Sequence, residues 1–313
     1  MSTSCILCKT TNIKTLQSIQ KAALIELYKK EFGFDVSKEL TELDTIKYYQ
    51  CKKCHLRYFD TEAAGRGQFY EDLQNHRTVY YSSDRVEFNY AKQFISDLDK
   101  VLEIGSGNGH FATILNKQDY IGLEFNDLAI EDAKTKGITL IKQSVEDYAL
   151  STTEKFDVVC SFHVLEHVTS PVDFIEASLK LLKPNGKLII AVPCCNSPLT
   201  DNPNHVLNLP PHHISRWTVE SLSTLETQFD IKLLEYKVDF INNYCNENDY
   251  YIQALTNKLV NTFYPKKRAL INSVLLYRIN KLSKLLVTKV GLKHLMKNNS
   301  KMGHNMTFVF EKQ

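Results

Sequence analysis

The chain has 313 residues, and its 38 Lys and Arg against 36 Asp and Glu give a formal net charge near +2. Hydrophobic residues make up 43% and charged residues 24%, which excludes a disordered chain or a fibrous repeat. The length predicts one large domain with a smaller appendage. Since no apolar run approaches the roughly 20 residues of a membrane span and no signal peptide is recognisable, we expect a cytoplasmic protein.

The first segment, residues 1–60, begins and ends on a Cys-x-x-Cys pair. The four cysteines are Cys5, Cys8, Cys51 and Cys54. Four thiolates are what a closed, structural zinc site requires, and such a site leaves no coordination position for a substrate. The long spacing between the pairs predicts a ribbon-like zinc-binding domain that carries a helical insertion around residues 24–32. A redox role is the alternative, although it needs only one pair.

Residues 61–98 are rich in aromatic side chains, among them Tyr80 and Tyr81. This segment is predicted to form helices that lead into the following domain and cover one end of its ligand site. The core domain then extends over 99–313.

Short apolar runs alternate with helical stretches from Lys100 onwards, which is typical of a parallel sheet with crossover helices. The seven predicted strands lie at 101–104, 119–123, 139–142, 156–160, 187–192, 231–236 and 306–310. A helical insertion at about 240–300 interrupts the core before the last strand. From Tyr250 to Asn305 it contains no Asp or Glu and eleven Lys and Arg. An amphipathic helix is predicted between Leu270 and Leu286.

Three glycines, Gly105, Gly107 and Gly109, follow the first strand and precede a helix. Glycines in this position let the backbone turn with positive φ and approach a ligand closely. By itself, this loop could serve several nucleotide cofactors.

Two glutamates narrow the choice of cofactor. Glu103 comes two residues before Gly105, where a carboxylate can accept a hydrogen bond from a cationic amino group. Glu124 closes the next strand, where a carboxylate can bind two ribose hydroxyls. The pair predicts a cofactor with a ribose and a positively charged amino acid part.

On these motifs, residues 66–312 resemble the class I S-adenosylmethionine-dependent methyltransferases, and within them the sugar- and polysaccharide-modifying enzymes with an N-terminal zinc ribbon. The resemblance implies a doubly wound, Rossmann-like α/β fold with seven mostly parallel strands. It also implies that the glycine loop and Glu103 contact the methionine part of the cofactor, and that Glu124 binds its ribose. Further implied cofactor contacts are Phe125, Ser144, Val145, His163 and Tyr81. The family often has Asp at the position of Ser144.

Histidines are the candidate catalytic residues, because an imidazole suits a base that removes a hydroxyl proton at neutral pH. His212 and His213 lie in a proline-rich loop after the fifth strand, and His163 follows the fourth. We expect His213 to be the base, with His163 as the second candidate. For each of these histidines, a structural hydrogen-bonding role is the alternative.

The leading functional hypothesis is O-methylation of a sugar, glycan or glycolipid precursor. An RNA methyltransferase and a catalytically silent adaptor are the alternatives, and nucleic acid is disfavoured because the chain outside the basic insertion is net acidic. The basic insertion predicts packing within its own domain or a homodimer. Peripheral contact with an anionic membrane is the functional alternative for the same segment.

Overall fold

The computed structural model describes residues 4–76, 85–115, 119–197, 200, 204–240, 247–263, 270–271, 275–291 and 302–313. Within these ranges the strands are β1 (Ile13–Gln20), β2 (Thr45–Cys51), β3 (Arg57–Phe59), β4 (Val101–Ile104), β5 (Tyr120–Leu123), β6 (Leu140–Ile141), β7 (Phe156–Phe162), β8 (Leu182–Pro193), β9 (Ser215–Arg216), β10 (Ile231–Phe240) and β11 (Met302–Lys312). The helices are α1 (Lys21–Phe32), α2 (Gly67–His76), α3 (Val86–Lys92), α4 (His110–Leu115), α5 (Asp127–Thr135), α6 (Val145–Ser151), α7 (Pro171–Leu181), α8 (Val219–Ser223), α9 (Glu247–Phe263) and α10 (Leu275–Thr288).

The larger sheet has seven strands in the order β10-β11-β8-β7-β4-β5-β6. The strands from β8 to β6 are parallel to their neighbours, and β11 is antiparallel to both β8 and β10. All four residues of β4 are buried, as expected for a central parallel strand with both faces covered. All seven strands predicted from the sequence are present, so the predicted Rossmann-like methyltransferase fold is confirmed.

The short helix α3 packs over the sheet next to the glycine loop. Its Phe88 lies 4.8 Å from the ring of Phe162 at the end of β7 and 5.0 Å from the ring of Phe111 on α4. These edge and tilted ring contacts fix α3 against the carboxyl ends of the strands. The covering helix is therefore held where a ligand of this sheet would bind.

The smaller sheet has the order β1-β2-β3-β9 and joins two distant parts of the chain. Its strand β9 comes from the loop that carries the paired histidines, and Ser215 pairs with Tyr58 in antiparallel register. The N–H of Phe59 also donates to the carbonyl of Ile214, at 2.8 Å. The predicted helix between the cysteine pairs is α1, whose Tyr28 hydroxyl donates to the carbonyl of Val206 at 3.2 Å.

The predicted helical insertion between β10 and β11 is present as α9 and α10, but the expected helix between Leu270 and Leu286 begins later, at Leu275. Leu270 is instead tied to the N-terminal sheet, because its N–H donates to the side chain of Gln17 at 2.8 Å. None of the described helices is both long and apolar enough to cross a membrane.

The face of α10 that packs inward also differs from the prediction. The recurrence of Ile279, Leu282 and Leu286 at three and four residues predicts them on one apolar face. In the structure Leu282 is 48% exposed, whereas Ser283 and Val287 are buried. Val287 packs with residues of α9, and Asn280 donates to the side chain of Gln253 of α9 at 3.3 Å, so this side of α10 faces α9.

Candidate active site

A cavity of about 760 Å³ opens at the carboxyl ends of the central strands. The glycine loop after β4, the ends of β5 and β7, the helices α2 and α3, and the loop before β9 line this cavity. This is where open parallel sheets bind their ligands, and the volume suits a cofactor-sized molecule.

The glycine loop approaches the cavity with a backbone that few other residues could adopt. Gly105 has φ +66° and Gly107 has φ +54°, both in the left-handed region. A side chain at Gly105 would also overlap the Val164 side chain just after β7. Glycine is therefore needed for both the turn and the close contact between the two loops.

Glu124 lies at the end of β5 and is held by backbone N–H groups. Its carboxylate accepts hydrogen bonds from Gly107 at 2.8 Å, from Phe125 at 2.8 Å and from Asn126 at 2.9 Å. These bonds fix an acidic group between the glycine loop and the helix that follows. It therefore borders the cavity in the position predicted for a ribose-binding carboxylate.

Glu103 is only 2% exposed, and it accepts a hydrogen bond of 2.5 Å from the Tyr120 hydroxyl. Burial raises the pKa of its carboxyl to about 8, although Tyr120 and the charge of Arg85 act in the opposite direction. A cationic group in the cavity would favour the ionised form of this carboxyl. The chemistry of Glu103 therefore fits a cofactor with an ammonium group.

Some residues predicted to contact the cofactor are not among the described residues that line the cavity. Phe125 lines the cavity, but Gly109, Ser144 and Val145 are not among the described residues that do so. Ser144 caps α6, because its hydroxyl oxygen accepts from the N–H of Asp147 at 3.0 Å. Tyr81 lies outside the described residues. The role of these residues in cofactor binding stays a prediction.

His163 lies between two buried carboxylates at the end of β7. Its Nε2 is 2.7 Å from Oε1 of Glu87, and its Nδ1 is 3.4 Å from Oε1 of Glu166. Burial alone would lower the pKa of His163, but the two carboxylates raise it to about 9. The ion pair with His163 outweighs burial and lowers the pKa of Glu87 to about 2. At neutral pH, His163 is therefore an imidazolium and not a free base.

Three further histidines that line the cavity form a cluster, and we call His167, His212 and His213 the histidine cluster. Their ligand nitrogens all lie within 4.8 Å of one another. The rings of His212 and His213 stack at 4.6 Å, and the His167 ring meets them edge-on at 4.6 and 4.8 Å. The sequence predicted two members near an acceptor and missed His167 as their partner.

Backbone hydrogen bonds hold the loop of the histidine cluster. The N–H groups of Ile214 and Ser215 donate to the carbonyl of Glu166 at 2.9 and 3.0 Å, and Gly65 donates to the carbonyl of Pro211 at 2.8 Å. Segments 65–67, 163–168 and 205–213 therefore meet at this wall. Residues 163–168 form a turn and not a helix, so the proximity of His163, Glu166 and His167 in the chain was the available signal that they reach the same wall.

His213 has the protonation state that a general base needs. It is 7% exposed, and burial together with the neighbouring imidazoles lowers its pKa well below the ordinary value of 6.5. Its Nε2 lies 3.9 Å from Oε1 of Glu166. His213 is thus neutral at physiological pH, borders the cavity and has a carboxylate beside it.

The four cysteines Cys5, Cys8, Cys51 and Cys54 form a second cluster, and we call it the cysteine cluster. The Sγ atoms are 3.6 Å apart in Cys5 and Cys54 and 3.5 Å apart in Cys8 and Cys51. Tetrahedral zinc with Zn–S bonds of about 2.3 Å requires sulfur atoms about 3.8 Å apart. The arrangement therefore fits a structural zinc ion. None of the four is among the described residues that line the cavity.

Comparison with known families identifies the core. A family model described as a methyltransferase domain matches residues 71–236, which is more than half of the chain. Two curated relatives are ubiquinone biosynthesis O-methyltransferases. The one from Haemophilus ducreyi is 34% identical over 120 residues, covering 34% of this chain and 51% of its own. The one from Vibrio vulnificus is 30% identical over 100 residues, covering 29% and 43%. The chain thus spans about half the length of these relatives.

Solved structures of similar fold include a SAM-dependent methyltransferase from Archaeoglobus fulgidus. It has a TM-score of 0.49 and 16% identity, and covers 79% of this chain and 100% of its own. A plantazolicin methyltransferase in complex with a triazolic desmethylPZN analogue and SAH has a TM-score of 0.46 and 16% identity, and covers 93% of this chain and 96% of its own.

Proposed function

Because the chain belongs to the family of methyltransferase domains, we propose that it transfers a methyl group from S-adenosylmethionine to a hydroxyl oxygen of a sugar, glycan or glycolipid precursor. The observation that supports the assignment of S-adenosylmethionine as the cofactor is the pair of carboxylates at the ends of two adjacent strands. Glu103 is a buried carboxyl whose negative charge an ammonium group would compensate. Glu124 borders the same cavity beside the glycine loop.

When bound, the cofactor supplies an activated methyl group on a sulfonium, which is a good leaving group. The protein must then align the acceptor and take up its hydroxyl proton. In our proposal the glycine loop and Glu103 hold the methionine part, and Glu124 holds the ribose. The resemblance further places Ser144 and Val145 in the loop that binds the adenine, and we keep that assignment as part of the proposal.

His213 is our candidate for the residue that takes the proton. It is neutral and borders the same cavity as the glycine loop. His163, in contrast, is already protonated, because its two neighbouring carboxylates raise its pKa to about 9. We assign His163 to electrostatic positioning at the cofactor end and His212 to contact with the acceptor. The two relatives named as O-methyltransferases support oxygen as the methylated atom.

The cysteine cluster is proposed to bind one structural zinc ion. Its four sulfur atoms would supply all four ligands of a tetrahedral zinc ion, so the metal would stabilise the small sheet and leave no position for a substrate. We keep the predicted division into a zinc-binding unit (1–60), a helical cover (61–98) and a core (99–313) as part of this proposal.

We further propose that α10 contacts an anionic membrane, where a lipid-linked acceptor would be found. Leu282 and Leu285 are 48% and 47% exposed beside the exposed Lys281 and Lys284. Apolar side chains flanked by lysines suit an anionic lipid surface. Sedimentation with vesicles that contain phosphatidylserine should be reduced by Leu282→Ser with Leu285→Ser. Concentration-dependent dimerisation without vesicle binding would assign this face to a homodimer instead.

The test of the enzymatic proposal starts from a cell extract incubated with the protein and isotopically labelled S-adenosylmethionine. Mass spectrometry should find the label on a sugar-containing hydroxyl. Label on RNA would overturn the acceptor class, and no binding of S-adenosylhomocysteine in calorimetry would overturn the activity.

The base assignment is tested on the identified acceptor. His213→Ala should lower kcat about 100-fold or more, while the affinity for S-adenosylhomocysteine stays unchanged. His76→Gln is the matched control, because His76 is exposed at the end of α2 and is not among the residues lining the cavity. Unchanged turnover in His213→Ala would show that the base lies elsewhere.

A further inference from the structure

We infer that His167, His212 and His213 form a binding site for a single divalent transition-metal ion, such as Zn²⁺, at the acceptor end of the cavity. The site is separate from the cysteine cluster and would hold the acceptor through an oxygen atom. The binding of the metal does not depend on the proposed methyltransferase function, whereas its role towards the acceptor does.

The first argument is the orientation of the rings. Nδ1 of His167 lies 2.6 Å from the carbonyl oxygen of His212, and Nδ1 of His212 lies 2.8 Å from that of Leu207. A carbonyl oxygen can only accept, so both Nδ1 atoms carry the proton and both lone pairs are on Nε2. Metal-binding histidines are typically oriented in this way, by donating their other N–H to a carbonyl or carboxylate.

The second argument is the spacing of the nitrogens. Three imidazoles on a tetrahedral ion with Zn–N bonds of about 2.1 Å have their nitrogens about 3.4 Å apart. One ring nitrogen of each histidine lies within 4.8 Å of a ring nitrogen of the other two, on a wall that opens to the cavity. Shortening the longest of these separations by up to about 1.4 Å, from 4.8 to about 3.4 Å, would close the site, and the position left over would face the acceptor.

The third argument is the buried carboxylate next to the cluster. Glu166 is 1% exposed, and neither of its oxygens has a hydrogen-bond partner within the described residues. Its Oε1 lies 3.9 Å from Nε2 of His213 and 3.4 Å from Nδ1 of His163. Glu87 and Glu166 together carry two negative charges against the single positive charge of His163, so one negative charge is left over beside the cluster, and a bound cation would offset it.

Imidazole donors indicate which metals fit. Three neutral nitrogens with a nearby carboxylate suit Zn²⁺, Co²⁺ or Fe²⁺, and disfavour Mg²⁺ and Ca²⁺, which prefer oxygen ligands. Three protein ligands and an open position are also the arrangement of catalytic zinc sites, in contrast to the four-ligand structural sites. The open position would hold the acceptor oxygen near the methyl group.

Metal stoichiometry tests this inference directly. After loading with Zn²⁺ and dialysis, elemental analysis of the full-length protein should find about two metal ions per chain in the wild type and about one in His167→Gln and in His212→Gln. His76→Gln should retain the wild-type content. About one ion in the wild type, unchanged in the two variants, would overturn the inference.

Cobalt titration separates the two clusters without removing either. Co²⁺ bound to thiolates gives strong sulfur-to-metal charge-transfer absorption, and Co²⁺ bound to imidazoles does not. Binding of a second Co²⁺ without further charge-transfer absorption, lost in His167→Gln, is the expected result. If every bound Co²⁺ adds charge-transfer intensity and His167→Gln titrates like the wild type, no histidine site exists.

S-adenosylhomocysteine affinity distinguishes failure of this inference from failure of the proposed function. A protein that binds S-adenosylhomocysteine but no second metal remains a methyltransferase without this site. His213→Ala should also lose the second metal, because His213 is one of the three ligands. An imidazole that binds a metal through its lone pair cannot take the acceptor's proton as well, so retention of the metal with loss of turnover would overturn the three-histidine site and leave His213 as the base.

Discussion

The cysteine cluster and the histidine cluster both consist of side chains of a kind that can bind metal ions. They differ in whether their ligands would fill all four coordination positions of a tetrahedral ion. The cysteine cluster has four potential ligands, which come from two Cys-x-x-Cys pairs, and none of them is among the described residues that line the cavity. The histidine cluster has three ligands, which line the cavity beside Glu166. A complete ligand set suits a structural role, whereas an open set beside a cavity suits chemistry. The comparison teaches that ligand number and access separate two clusters of the same general kind.

The two clusters are also connected through the small sheet. Cys51 ends β2, and β3 follows the second cysteine pair and hydrogen-bonds to β9, directly after the loop with His212 and His213. Folding of the zinc-binding segment should therefore help to place the acceptor wall. The two clusters are thus separate groups of side chains that are linked through the small sheet.

The largest expected effect comes from Cys51→Ser. Structural zinc contributes on the order of 10 kcal/mol to small metal-bound domains, so loss of one thiolate should remove the metal and destabilise the small sheet. We expect the midpoint of thermal unfolding to fall by about 10 °C or more, together with the zinc content. Because β9 belongs to that sheet, acceptor turnover should fall more than cofactor affinity.

Cys160→Ala is the matched control for Cys51→Ser. Cys160 is fully buried in β7 and is not part of the cysteine cluster, so its substitution should cost about 1 kcal/mol and leave the zinc content unchanged. Normal zinc content and stability in Cys51→Ser would break the comparison, since the cysteines would then have no structural metal.

The sequence predicted what depends on local pattern. Buried strands such as β4 are short, mostly apolar runs, and the two cysteines of each pair are separated by only two residues, so both features are visible along the chain. The histidine cluster depends on a hydrogen bond between residues 45 positions apart and on carbonyls that select the tautomers. Neither is encoded by spacing. The orientation of α10 was missed for a similar reason, because its contacts with α9, among them the hydrogen bond from Asn280 to Gln253, join residues distant in the chain.

A second prediction concerns the charges around the histidine cluster. His163 has a raised pKa, so its stabilising effect is complete below 6.5 and is lost as the pH rises through about 9. Glu87 has a lowered pKa, so its effect is complete above 4.5 and is lost as the pH falls through about 2. Their ion pair should therefore stabilise the fold most between pH 4.5 and 6.5.

Glu87→Gln tests this window by denaturant unfolding across the pH range. Removing one partner of a buried ion pair should cost about 3 kcal/mol within the window, and the cost should shrink above about pH 9. His163→Asn is the matched variant, because Asn tolerates the positive φ of 58° at this position. An equal cost at all pH values would show that His163 is not held as a cation.

The smallest expected effect is on cofactor affinity, and it distinguishes Glu103 at the cofactor end of the cavity from the histidine cluster. Burial raises the pKa of Glu103 to about 8, so its carboxyl is largely neutral at lower pH and ionises as the pH rises. A cofactor ammonium group pairs with the ionised form, and wild-type affinity for S-adenosylhomocysteine should therefore increase towards pH 8. Calorimetry should find binding about ten-fold weaker in Glu103→Gln, without this contribution to the pH dependence. The ligand's own amino group titrates equally in both proteins. His213→Ala is the control and should keep the wild-type affinity and pH dependence. If Glu103→Gln also showed the wild-type pH dependence, Glu103 would not be part of the cofactor site.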